Sequence, residues 1–100
     1  MRRIGKIVAI GNKREGLSQT TGERWMRQEV VVSWDEQVQN AEPCPTSIVM
    51  EVKKELNEQR VQTAIASGES VEFSFFMTAR PYEGRYYNNI TGFLPREFYE

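Results

Sequence analysis

No histidine occurs in this 100-residue chain, and its one cysteine, Cys44, stands between Pro43 and Pro45. Without a second thiol there is no intrachain disulfide and no thiolate metal cluster. Without imidazole the commonest general base and the usual zinc ligand are gone, together with every Ser/His or Cys/His nucleophile pair. Gly5-Lys6 lacks the spacing of a phosphate-cradling loop, and the acids show no spacing that suggests a catalytic dyad. The expectation is a protein that is not an enzyme, with no catalytic residues, no metal and no cofactor. No stretch approaches the ~18 consecutive apolar residues of a membrane span, and the Met-Arg-Arg start runs into a mixed strand pattern rather than an apolar signal core. This predicts a cytoplasmic protein with no membrane partner. The chain also has no internal repeat and no low-complexity segment.

What remains suits one domain over residues 1–100: 39% apolar residues, 27% charged ones and room for a modest core. The net charge of −1 hides a division along the chain. Met1 to Gln28 carries Arg2, Arg3, Lys6, Lys13, Arg14, Arg24 and Arg27 against Glu15 and Glu23, a balance of +5, and the remainder carries −6. An acidic total argues against indiscriminate polyanion binding, yet a localised basic patch still focuses field on one face.

Hydrophobic periodicity predicts five strands and one helix. The first strand runs from Ile4 to Gly11, and a polar loop or extended hairpin follows from Asn12 to Glu23. The second, Arg24 to Asp35, places Met26, Val30, Val32 and Trp34 on a core face, and Trp25, Arg27, Glu29, Val31 and Ser33 on the opposite one. A patternless acidic loop from Asp35 to Ser47 leads into a third strand, Thr46 to Val52. Lys53 to Ala66 reads as the helix, ended by Ser67-Gly68, with Leu56, Val61, Ala64 and Ile65 as its apolar stripe. The fourth strand, Ser70 to Arg80, alternates Val71, Phe73, Phe75, Met77 and Ala79 against polar neighbours. A turn at Tyr82-Glu83-Gly84-Arg85 returns it into a fifth, Tyr86 to Leu94. Pro95 to Glu100 reads as a short acidic and aromatic tail that frays, continues the strand or docks a partner.

Three strands, a helix and a two-stranded hairpin make the element order of an OB-fold, a five-stranded Greek-key barrel with its helix between strands three and four. Such barrels bind oligonucleotides on the face of strands two and three and on the loops joining strands one and two and strands four and five. Two marked stretches fall there, Arg24-Trp25-Met26-Arg27 and Arg80 to Tyr87. Flat rings and guanidinium groups are what a single strand of DNA or RNA needs, stacking faces for bases and cations for phosphates. Trp25 is the leading stacking candidate, with Tyr82, Tyr86 and Tyr87 supplying at least one more exposed ring. Lys13, Arg14, Arg24, Arg27 and Arg85 are candidate phosphate contacts, and Arg80 lies beside the tyrosines.

Each residue also has a plainer role. Trp25 could cover the barrel end or a dimer contact, and the tyrosines could simply pair across the hairpin. Trp34 shares the core parity. Glu29, Glu72 and Glu83 would oppose binding if they shared the groove. The alternative function is a protein-interaction or oligomerisation module that binds no nucleic acid. Homo-oligomer assembly is compatible with either function.

Three segments, Ile4-Gly5-Lys6-Ile7, Trp25 to Val32 and Tyr82 to Thr91, resemble those of short bacterial and phage OB-fold proteins catalogued as a domain of unknown function and related to single-stranded DNA-binding proteins. The likeness spans most of the chain and departs in a longer acidic segment between strands two and three. It implies the fold and a nucleic-acid role, in a family without a settled activity.

Overall fold

In the computed structural model, which describes residues 1–100, the strands are β1 (Arg2–Leu17), β2 (Arg24–Glu36), β3 (Cys44–Val52), β4 (Val71–Tyr82) and β5 (Arg85–Phe93). One helix, α1 (Glu58–Ser67), lies between β3 and β4. The strands close into a barrel in the order β1-β2-β3-β5-β4. All neighbours are antiparallel except β3 and β5, which meet in parallel at the single pair Glu51 and Thr91. This order, with the helix between the third and fourth strands, is that of an OB-fold.

Closure requires β1 to pair along both edges. Arg2 to Gly5 pairs with Val71 to Ser74 of β4, and from Lys6 onward the strand pairs with β2. At the changeover the backbones press together. A Cβ on Gly5 would lie 2.0 Å from the Ser33 carbonyl oxygen, so glycine is required there by space. Two bulges follow, at Val8 and at Gly11-Asn12. The amide of buried Gln28 donates to the Gly11 carbonyl at 3.3 Å, which satisfies a polar side chain inside the wall.

The core is one cluster of thirteen buried apolar residues. Val30 and Val32 of β2, Met50 and Val52 of β3, and Phe73 and Phe75 of β4 fill the barrel. The alternation expected for β2 holds for Val30, Val32 and Trp34, whereas Met26 sits in the projecting arm, half-buried and outside the core. Trp34 caps this layer, its ring 5.8 Å from Phe73 and 5.5 Å from Phe75. Its indole N–H donates to Glu36, whose carboxylate also takes a fork of two bonds from Arg3, at 2.7 and 2.9 Å.

Several boundaries differ from the sequence expectations. β1 continues through Leu17, so of the loop or extended hairpin expected over Asn12 to Glu23 the hairpin is what forms. Its turn is ordered: the Ser18 N–H donates to the Glu23 carbonyl, and the Ser18 hydroxyl accepts from the N–H groups of Thr20 and Thr21. The helix begins at Glu58, not Lys53, because the Asn57 side chain caps it by accepting from the Arg60 N–H. Leu56 is buried from the connection before it, where it bridges to Tyr99.

Met77 and Ala79 have the core parity of β4 but are exposed, because β4 and β5 outrun the barrel beyond Phe75. Their hairpin closes in a two-residue turn with positive φ at both Glu83 and Gly84, the type I′ geometry that matches strand twist. The chain measures 48 × 37 × 18 Å with a radius of gyration of 15.2 Å. A compact domain of this length has about 13 Å. Projecting hairpins account for the excess.

The tail neither frays nor continues β5. Arg96–Phe98 forms a 3₁₀ turn that drives Phe98 into the barrel end, 1% exposed. The Asn57 N–H donates to the Phe98 carbonyl, the Glu100 N–H to the Glu55 carbonyl, and the Leu94 N–H to the Tyr99 hydroxyl. Phe98→Ala therefore empties part of the core and is expected to cost about 3–5 kcal/mol, measured by urea unfolding. A change within about 0.5 kcal/mol would show that the tail is not part of the core.

The Arg3 hydrogen bonds, and secondarily that from Trp34, hold the Glu36 carboxyl below its ordinary value of 4.5. A depressed carboxylate stabilises the fold fully above the unfolded value and loses that contribution as pH falls through the folded one. The melting temperature of the wild type is thus expected to drop more steeply below about pH 4.5 than that of Glu36→Gln. Coincident acid limbs would contradict this.

Candidate functional site

The two hairpin arms flank the outer face of β2 and β3. In the β1–β2 arm, Lys13 to Leu17 pairs with Arg24 to Gln28. Residues directly opposite in an antiparallel pair share a face. Arg14 is opposite Arg27, and Gly16 is opposite Trp25. A Cβ on Gly16 would lie 2.7 Å from Cζ2 of the indole, so the ring rests on bare backbone. It remains 40% exposed, with the Arg27 guanidinium 5.7 Å from its centroid. Stacking surface and cation are thus held together by strand register and one glycine.

The expected cations divide into two groups. Lys13 binds both Glu15 and Glu55, and the Glu55 hydrogen bond is the main reason its pKa is raised above the ordinary lysine value. Arg14 meets Glu51 at 2.7 Å. Those two are neutralised within the protein. Arg24, Arg27, Arg80 and Arg85 form no ion pair and are available to an external anion.

In the β4–β5 arm all three tyrosines are exposed, Tyr82, Tyr86 and Tyr87 alike. Register puts Tyr82 and Tyr87 on one face, their rings 6.4 Å apart edge to face, and Tyr86 on the other beside Pro81. They do not form one stacking platform.

Between the arms lies a cleft of about 440 Å³ lined by Asn12, Arg14, Glu29, Glu51, Asn88 and Ile90, among others. Glu29 stands directly opposite Glu51. The middle of this groove is therefore acidic, with Arg14 the cation at its side. Of the other expected opponents, Glu72 pairs with Arg2 at 3.2 Å beside the β1–β4 seam, and Glu83 sits in the turn at the arm tip.

Around the edge of β2 a second cleft, of about 450 Å³, contains Arg24, Trp25, Arg27 and Lys53, together with Glu15 and Glu55. A third, of about 610 Å³, shares Lys53 and adds Lys54, Phe93, Arg96 and Tyr99. Lys53, Lys54 and Arg96 were not among the expected site residues. The sequence pattern puts Lys53 and Lys54 in the helix, whereas Asn57-Glu58, a capping residue followed by an acid, is the signal that starts the helix five residues later. No group of three or more Cys, Asp or Glu side chains is arranged to hold a metal ion, and no helix is long and apolar enough to cross a membrane.

The barrel and its flanking arms define an OB-type domain. A family model described as Domain of unknown function (DUF3127) matches residues 3–94, and the chain belongs to that family. No curated protein and no solved structure matches it significantly.

Proposed function

We propose that this protein binds single-stranded nucleic acid with little sequence preference, anchored by a base stacked on Trp25 and by phosphates on Arg24 and Arg27. The supporting observation is the exposed indole resting on Gly16 beside unpaired guanidinium groups, at the arm where OB-folds take oligonucleotides. Arg80, Arg85 and the exposed tyrosines of the second arm lie beyond the acidic groove and are not part of this anchor. No base-edge reader dominates the site, which fits stacking and charge rather than sequence readout.

A labelled oligothymidine of about 30 nucleotides, long enough for several ~4–16-nucleotide OB sites, tests this by fluorescence anisotropy across a salt series. Stacking is worth roughly 1–3 kcal/mol per base, so Trp25→Ala with Arg27→Ala is expected to weaken binding at least tenfold while the domain stays folded. Unchanged affinity would remove this site.

A second reading rests on a different surface. Phe76 and Phe93 stack at 5.9 Å on the outer face of β4–β5 with 45% and 51% of their surface exposed. Paired aromatics left open to water mark a protein interface. That reading predicts a dimer or larger species by light scattering, dissociated by Phe76→Ser with Phe93→Ser. A wild-type monomer at working concentration counts against it.

A further inference from the structure

We infer that the phosphate backbone, once anchored at Trp25, leaves the β2–β3 groove aside and follows a cationic track over Lys53 and Lys54 to Arg96 at the barrel end. This rests on the function proposed above and names its path. The second and third clefts adjoin through Lys53, which lines both. Arg24, Arg27, Lys53, Lys54 and Arg96 lie along them, and none forms an ion pair. Lys53, Lys54 and Arg96 are all exposed.

Charge decides between the two routes. On the track the acids are Glu15, Glu55 and Glu100, and Lys13 binds the first two, leaving an excess of three positive charges when Lys13 is counted. In the groove, Arg14 faces Glu29 and Glu51, an excess of one negative charge. A polyanion is drawn to the first and repelled by the second. Lys13 then has a role other than contact: it masks the two carboxylates that would interrupt the track. Exposed Phe93 and half-buried Tyr99, with Lys54 Nζ 5.9 Å from the Tyr99 ring, supply aromatic surface at the far end.

The test compares the intact protein with Lys53→Gln/Lys54→Gln/Arg96→Gln and with Glu29→Gln, using oligothymidine and oligouridine of equal length. All four positions are on the surface or at its edge, and circular dichroism checks folding. The triple variant is expected to weaken both oligonucleotides about tenfold or more at low salt and to reduce the slope of log affinity against log salt by about 2, at ~0.7 per lost contact. Glu29→Gln is expected to change nothing. Binding by the wild type that depends on Trp25 but is indifferent to the triple substitution would overturn the track alone. Tightening by Glu29→Gln would put the strand in the groove and overturn it as well. Absence of wild-type binding to either oligonucleotide would end both the track and the function on which it rests. Loss with one oligonucleotide only supports the track for that nucleic acid.

Discussion

Everything outside the barrel follows from how β1 is shared. One strand must pair with β4 at its start and with β2 thereafter, and the changeover brings its backbone against Ser33 so closely that only glycine fits at position 5. Lys6 to Ile10 still lines the barrel beside β2, with Ile7 buried, and past Ile10 the rest of this sixteen-residue strand has no barrel left to wrap. It leaves with β2 as an arm. The β4–β5 hairpin leaves in the same way after Phe75, and the space between the arms becomes the groove.

The opposite end is closed differently. β3 and β5 touch at one pair, so the seam is weak as a ladder. Leu56 before the helix, Val61 and Ala64 on it, and Phe98 after β5 close that end with side chains. The Arg60 guanidinium lies 4.5 Å from the Phe98 ring and binds Glu69, joining helix, tail and the entrance to β4. Packing the tail inward also carries Arg96 to the surface beside Lys54. The same contacts that seal the core therefore arrange the cations of the barrel end.

The regular parts of this structure were legible in the sequence. Period-two alternation placed Val30, Val32, Phe73 and Phe75 inside, and Glu83-Gly84 marked the hairpin turn. Alternation says which residues share a face but not where a face stops being interior, so Met77 and Ala79 were placed in a core that ends at Phe75. Gly11-Asn12 reads as a turn that ends the first strand but is a bulge within it, and no local pattern announces the bulge at Val8. Phe98 follows a proline in a short acidic stretch without periodicity, and only the tertiary fold reveals its partners. The candidate aromatics were found by composition, and all are exposed. The pairing of Lys13 and Arg14 with Glu55 and Glu51 joins residues some forty positions apart, beyond the reach of a sequence reading without the fold.

The most direct test of the central claim is an amide chemical-shift titration of the isotopically labelled protein with oligothymidine. The account predicts shifts centred on Arg24 to Arg27 and the Trp25 indole N–H, continuing through Lys53 and Lys54 to Arg96, with Glu29 and Val49 in the groove little affected. Shifts confined to the β4–β5 face, or none with the oligonucleotide in large excess over folded protein, would contradict it.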